Sequence, residues 1–357
     1  MASGLGNKIR VQIFGQSHSE GLGVIIDGLP AGEKLDFERI AGFLEKRAGG
    51  RNTWSTQRAE TDTPRILSGL AEGMTCGAPL CAVFENNDVR RDDYDLLKTI
   101  PRPSHADFTA FVKHGGHNDA SGGGHFSGRL TLPFCFAGAV CLQLLERRGI
   151  KIDAHIRSIG NITDDPFIED PSKETVFDRA FPTVNPETGK RMTELIETAC
   201  AEGDSLGGVV ECCVYGLPPG LGEPIFDNIE SRLAYALFAV PGVKGVEFGA
   251  GFESAGMKGS EYNDPLYYDG EEVKTLTNHS GGILGGITNG MPLLFRAAFK
   301  PTPSISKEQK SVDLATKEEV ALSIKGRHDP CIAIRAVPCV IAAAAIVLYD
   351  IMLESGR

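Results

Sequence analysis

Three histidines stand in segments whose neighbours suit proton chemistry. Ser17 and His18 occupy a glycine-bounded turn in "FGQSHSEGLG", His105 lies between Arg102 and Asp107 in "RPSHAD", and His328 and Asp329 follow Lys325 and Arg327 in "KGRHDPC". Imidazole moves protons near neutral pH, and a carboxylate beside cations stays ionised and able to accept one. Two glycine loops accompany them. "SGGGHFSGRLT" (121–131) and "SGGILGGITNG" (280–290) can expose backbone N–H groups to an anion or a planar ligand, because glycine reaches positive φ and carries no Cβ. Neither has the Lys-Ser/Thr ending or the G-x-G-x-x-G spacing of nucleotide loops. "FKPTPSISKEQ" (299–309) adds Lys300, Thr302 and Ser304, the point charge and hydroxyls that phosphate recognition uses.

The 357 residues carry a formal net charge of −11, which argues against nucleic acid, since a phosphate backbone is held by summed positive charge. Aromatics at 7% leave little surface for base stacking. Yet Arg47, Arg51, Arg58, Arg102, Arg129, Lys300, Arg327 and Arg335 sit in glycine- or proline-rich segments, and as a group they predict a site for a small, multiply anionic ligand beside a phosphorylated cofactor. No metal site is expected, because the histidines are far apart and the cysteines lack ligand spacing. Nine cysteines without a C-x-x-C point to a reducing cytoplasm and buried free thiols. "MASGLGNKIR" has no hydrophobic signal region. The longest apolar stretch, "AVPCVIAAAAIVLYDIML" from Ala336, holds Pro338 and Asp350. It reads as a buried terminal helix too short to span a bilayer.

These residues need elements to position them. β-rich runs occur at 23–29, 79–85, 207–217 and 291–299, each bounded by Gly, Pro or Asn. Between them, Asp36 is placed to cap a helix through Phe37, Ile40 and Leu44, and Asp227 with Glu230 to open another through Leu233 and Leu237. A third helix is predicted over about 137–148, ending at Gly149. Strand pairs mixed with separated helices predict an α+β fold. "EGLGVIIDGLPAG" (20–32) and "DSLGGVVECCVYGLPPG" (204–220) share a Leu-Gly, strand, Gly-Leu-Pro-x-Gly pattern, a hint of internal duplication. The polar, proline-punctuated stretch at about 160–193 reads as a surface excursion.

Taken as an ordered set, "FGQSHSEGLGVIIDGLPAG", "RAETDTPRILSGLAEGMTCGAPL", "RPSHADFTAFVKHGG", "GLPPGLGEPIFD", "VKGVEFGAGF", "NHSGGILGGITNGMP", "KPTPSI" and "KGRHDPCIAIRAVP" resemble the chorismate synthase family over almost the whole chain. The resemblance implies one domain over 1–357, built of antiparallel four-stranded sheets with packed helices and assembled as a homotetramer. It implies conversion of 5-enolpyruvylshikimate 3-phosphate to chorismate by 1,4-anti elimination of phosphate, with reduced FMN required although no net redox occurs. By position, His18 would protonate the departing phosphate, His105 would stabilise the flavin, and Asp329 would assist proton removal. His125, Phe126, Ser127, Pro241, Gly242, Gly285, Lys300, Pro301, Thr302, Pro303, Ser304 and Arg327 fall where the family holds FMN. Arg47, Arg51, Thr53, Arg129 and Arg335 fall near substrate or NADPH. NADPH would serve at most as an indirect reductant, through an external flavin reductase.

The chain also departs from the family's pattern. Ser19 stands for a glycine, Arg47-Ala48-Gly49-Gly50 for Arg-Arg-Pro-Gly, Thr53 for a basic residue, and His125-Phe126-Ser127 for a run beginning Arg-Ser-Ser. Leu130 and Ile341 stand where glutamate is usual. Two other readings stay open: a non-catalytic flavin- or anion-binding relative, and a bifunctional form with its own NADPH-dependent flavin reduction. Retention of His18, His105 and Asp329 opposes the first, and a length without long insertions opposes the second. An oxidoreductase is opposed by the missing dinucleotide fingerprint and redox cysteine pair.

Overall fold

The computed structural model describes residues 3–50, 62–87, 97–167, 175–324 and 328–356. The first half runs β1 (Gly4–Leu5), β2 (Arg10–Gly15), β3 (Gly21–Asp27), α1 (Phe37–Arg47), β4 (Arg65–Ser68), the hairpin β5 (Leu70–Ala71) and β6 (Met74–Thr75), β7 (Leu80–Glu85), α2 (Asp107–His114) and α3 (Thr131–Glu146). The second runs β8 (Lys151–Ile159), β9 (Ile162–Thr163), α4 (Pro186–Ala201), β10 (Gly208–Tyr215), α5 (Ile229–Phe238), β11 (Val243–Phe248) and a four-residue helix α6 (Gly259–Tyr262). It continues through the hairpins β12 (Leu266–Asp269) with β13 (Glu272–Thr275) and β14 (Ile283–Leu284) with β15 (Ile287–Thr288), then β16 (Leu293–Phe299), the hairpin β17 (Gln309–Asp313) with β18 (Glu318–Leu322), and α7 (Ala333–Glu354).

Two antiparallel sheets result, in the orders β1-β2-β3-β7-β4 and β9-β8-β10-β16-β11. Each has the four longer strands expected, plus a two-residue edge strand beside the first of them. The halves repeat one plan. In each, four strands stand in space as first, second, fourth, third; a helix (α1 or α5) follows the second; and a long helix (α3 or α7) follows the fourth. The two similar sequence segments become the central strands β3 and β10, each followed by a glycine in left-handed conformation, Gly28 and Gly216. This topology supports the internal duplication.

The long helices α3 and α7 lie on the sheets' inner faces. α3 packs on β3 and on α7, and α7 packs on β8 and β10. Leu22, Val24 and Ile26 of β3 and Val210, Cys212 and Val214 of β10 point inward by the period of two and are fully buried. α3 and α7 approach so closely that a Cβ on Gly138 would lie 2.4 Å from Ala342 Cα, and the Ala342–Ala345 run keeps α7 slim there. Asp350 is fully buried on α7 and accepts the backbone N–H groups of Asn7, Lys8 and Ile9, fastening the N-terminal segment to the terminal helix.

Several expectations shift. α3 begins at Thr131, six residues earlier than predicted, because Pro133 is tolerated in a first turn; Gly149 still ends the segment at φ +79°. α5 is capped by Asn228, whose side chain accepts from Ser231 N, and Asp227 belongs to the turn before it. α7 reaches 22 residues, long and apolar enough to cross a bilayer, but the most apolar 18 residues are 94% buried within the protein. The start of the 160–193 stretch, through Phe167, is anchored over the second sheet. Asp164 and Glu211 both bond the buried His155 ring, and Phe167 sits edge-on to it. Burial alone would push the His155 ring down, but these carboxylates outweigh it and raise it.

Candidate active site

The triple-glycine loop is the floor on which two histidines rest. Gly122, Gly123 and Gly124 all take positive φ, at +58°, +84° and +51°. A Cβ on Gly122 would lie 2.1 Å from His18 Cε1, and one on Gly123 would lie 3.2 Å from His105 Cε1. Bare backbone is therefore required here for close approach of imidazole as well as for dihedral freedom. Ser17 N donates to Gly124 O at 3.1 Å, which ties the first histidine's turn to the loop. Ser17 and His18 are both buried.

His105 is held by a local ion network. Its Nδ1 lies 2.6 Å from Asp107 Oδ1, and Arg102 reaches the same carboxylate through Nε at 2.7 Å and Nη2 at 2.8 Å. Burial opposes the charge of Asp107, but hydrogen bonds from Arg102 and His105 outweigh it and hold the carboxyl far below the usual range. With Nδ1–H donated to Asp107, the opposite nitrogen of the His105 ring is left for a ligand.

The other site residues come from both halves. Arg335, near the start of α7, donates from Nη1 to Asp329 Oδ2 at 2.5 Å and from Nε to Arg47 O at 2.7 Å, so it positions the carboxylate against the end of α1. Lys300 N donates to Gly242 O at 2.9 Å, bringing Pro241 and Gly242 beside the Lys300–Ser304 segment. Arg102 Nη1 donates to Ser304 Oγ at 3.2 Å.

One cavity of about 570 Å³ joins them. It is lined by His18, Arg47, Arg102, His105, His125, Phe126, Ser127, Arg129, Pro241, Gly242, Lys300, Thr302, Pro303, Ser304, His328, Asp329 and Arg335, among others. Arg47, Arg102, Arg129, Lys300 and Arg335 face only two lining carboxylates, Asp62 and Asp329, among the described residues, so a protein of net charge −11 presents a cationic pocket. Such a pocket recruits a small anion. Gly285 and Pro301 do not line it; Gly285 serves the turn between β14 and β15 at φ +61°. Arg51, Thr53 and Arg327 lie outside the described residues.

Several polar atoms around this cavity are buried. Thr302 Oγ1, Arg47 Nε and His328 Nε2 are buried without a hydrogen-bond partner among the described residues. Burial first, then the Arg102 charge, pushes the His328 ring down and keeps it neutral. Unsatisfied buried polar groups are costly, and several around one cavity mark the place of a polar ligand.

His125 answers to the protein itself. Its Nδ1 lies 2.9 Å from Gly15 O and its Nε2 3.1 Å from Ser3 Oγ, so the ring donates to the carbonyl and accepts from the hydroxyl. Sequence reasoning missed Asp62, which bridges Arg47 and Arg129, and the thiol pair Cys135 and Cys339, whose sulfurs are 3.7 Å apart beneath the cavity. The signal for Asp62 was a carboxylate close after Arg58 in "QRAETDTPR"; nothing in the sequence paired residues 135 and 339.

Comparison with known proteins agrees over the full length. The family model described as chorismate synthase matches residues 9–353. The chain is 44% identical over 352 residues to the chorismate synthase of Korarchaeum cryptofilum, covering 99% of this chain and 98% of that one. It is 45% identical over 353 residues to that of Pyrococcus abyssi, covering 98% and 97%. A solved structure titled "Crystal Structure of Chorismate Synthase" superposes with a TM-score of 0.78 at 30% identity, covering 98% of this chain and 93% of that one.

Proposed function

The chain belongs to the chorismate synthase family, enzymes of the lyase class acting on a small-molecule substrate, and from that premise we propose that it eliminates phosphate from 5-enolpyruvylshikimate 3-phosphate in the 1,4-anti sense, with reduced FMN bound. The observation that carries the reading is the cavity itself: two imidazoles seated on successive glycines and an arginine-held carboxylate line one pocket with a cationic wall. A substrate bearing a phosphate and two carboxylates matches that charge.

The residues fit FMN. Lys300, Thr302, Pro303, Ser304, Pro241, Gly242 and Phe126 would hold it, and the unpartnered Thr302 Oγ1 and His328 Nε2 offer it hydrogen bonds. Reduced FMN, when bound, supplies electron density that eases loss of phosphate and recovers it as the ring proton leaves. The chain does the rest. His18 gives a proton to the departing phosphate oxygen. His105, oriented by Asp107, presents one nitrogen to the flavin. Asp329, positioned by Arg335, receives the ring proton. The buried walls exclude water and hold the reacting groups in line.

Under anaerobic conditions, dithionite-reduced FMN with 5-enolpyruvylshikimate 3-phosphate is expected to yield phosphate and chorismate. Folded, flavin-binding protein that released neither would sink the proposal. With NADPH and oxidised FMN alone we expect no turnover, in keeping with a monofunctional enzyme served by an external flavin reductase. We further read the chain as a cytoplasmic homotetramer. Phe226, Phe252 and Tyr268, at 87%, 84% and 78% exposure, are the kind of surface that copies of a chain cover. Sedimentation at four times the chain mass is the expected outcome.

His125→Ala is expected to change FMN affinity by less than about twofold, since both ring nitrogens are already engaged by Gly15 and Ser3. A fluorescence titration that showed a tenfold loss would return His125 to the flavin site.

A further inference from the structure

Two thiols meet where the long helices pack together. Cys135 of α3 and Cys339 of α7 have their sulfurs 3.7 Å apart, and both side chains are buried. The backbones are close here: one turn further along each helix, a Cβ on Gly138 would lie 2.4 Å from Ala342 Cα. The two thiols are not equivalent. Cys339 lines the cavity, whereas Cys135 does not. Cys339 accepts a hydrogen bond from the Cys135 S–H and, as a thiol, donates to Arg335 O at 3.5 Å. The hydrogen bond from Cys135, joined by the charges of Arg47 and Arg335, holds the Cys339 thiol below its ordinary range against burial, while burial pushes Cys135 up. A thiol that ionises beside a pocket, with a second, protonated thiol in reach, is arranged to react with an oxidant and be resolved. The proposed elimination uses neither sulfur.

We propose that Cys135 and Cys339 form an oxidation site for hydrogen peroxide, in which Cys339 reacts first, through the cavity, and Cys135 then closes a disulfide between α3 and α7. The Cys339 sulfur takes one oxygen from the peroxide, an S–O bond forming as the O–O bond breaks, and water leaves. The Cys135 sulfur attacks the resulting sulfenic acid, the S–S bond forming as the S–O bond breaks, and a second water leaves with the Cys135 proton. The two thiols lose two electrons, and the peroxide gains them. Closure brings the sulfurs from 3.7 Å to about 2 Å, a movement that two side chains share. The bridge would stand one turn from Arg335, the residue that holds Asp329. Disulfides of this kind in a reducing compartment are transient and redox-sensing.

The test treats cofactor-free full-length protein with hydrogen peroxide, raised until the exposed Cys76 and Cys200 are oxidised, then denatures it with N-ethylmaleimide to block the remaining thiols. Mass spectrometry of the digest is expected to find the Cys135 and Cys339 peptides joined, lighter by two hydrogens, with both thiols restored by dithiothreitol. Cys135→Ser should form no bridge and leave Cys339 as a sulfenic acid that dimedone labels. In Cys339→Ser, Cys135 should stay unlabelled. No bridge in wild type once Cys76 and Cys200 are oxidised overturns the proposal. Cys339 recovered from wild type as sulfinic or sulfonic acid also overturns it, because Cys135 would not have resolved it. Dimedone on Cys135 in Cys339→Ser would reverse the order of reaction and overturn it too. If melting curves show that a variant does not fold, the wild-type bridge decides alone. No readout here involves substrate or flavin, so a failed chorismate assay leaves the thiol pair standing, and a failed bridge leaves the proposed activity standing.

Discussion

Asp329→Asn is expected to fold, to bind FMN as wild type does, and to lose about 10²–10⁴-fold in kcat, the range over which a positioned acid or base contributes. The substitution keeps the size of the side chain and an oxygen for Arg335 Nη1, now 2.5 Å from Oδ2, so packing at the start of α7 is preserved. What it removes is a basic oxygen able to take a proton. Arg335 is itself fixed by donating to Arg47 O, so the amide is offered the same place in the cavity. Anaerobic turnover with reduced FMN, alongside a flavin titration, separates the two properties. Full activity in the variant would remove Asp329 from the proton path, and loss of flavin binding would make it a structural group.

How much of this was legible beforehand depended on whether a signal was local. β3 and β10 announced themselves through β-branched runs ending in Gly-Leu-Pro, and Asp36 caps α1 as its position before Phe37 predicted, accepting from Arg39 N at 3.0 Å. The shift of the α5 cap from Asp227 to Asn228 is a one-residue matter that two adjacent capping residues cannot decide from pattern alone. Long-range meetings carry no such signal. That residues 18, 105 and 122 converge follows from the layering of sheets and helices, and no periodicity in the sequence encodes it.

Asp62 shows the same limit from the other side. A single aspartate in a polar stretch looks like solvation, and it becomes part of the site only because α1 and the loop before α3 bring Arg47 and Arg129 to it. The histidine at 125 is the converse case. Its place beside the glycines suggested ligand contact, while the structure gives its ring to the backbone of β2 and to Ser3. Residue type proposes a role, and the neighbours that the fold supplies define its setting: His125 lines the cavity with both ring nitrogens engaged.

The glycine loop makes that point testable. Gly122→Ala is expected to lose about 10²-fold in kcat, because displacement of a reacting group by roughly an ångström is enough for such a loss. An added Cβ would stand 2.1 Å from His18 Cε1 and 2.3 Å from its Nδ1, so the imidazole must move out of its seat. Left-handed alanine also costs roughly 1–2 kcal/mol in stability, and that part of the effect has to be separated. Gly115 offers the matched control: its φ of +59° equals that of Gly122 within a degree, it does not line the cavity, and a Cβ there meets nothing within 4 Å. Gly115→Ala should therefore lower the melting temperature by the cost of left-handed alanine alone, no more than Gly122→Ala does, while leaving kcat near wild type. If both variants lost activity equally, the loop would matter for backbone conformation alone; a loss confined to Gly122→Ala would show that the glycine is there to make room for His18.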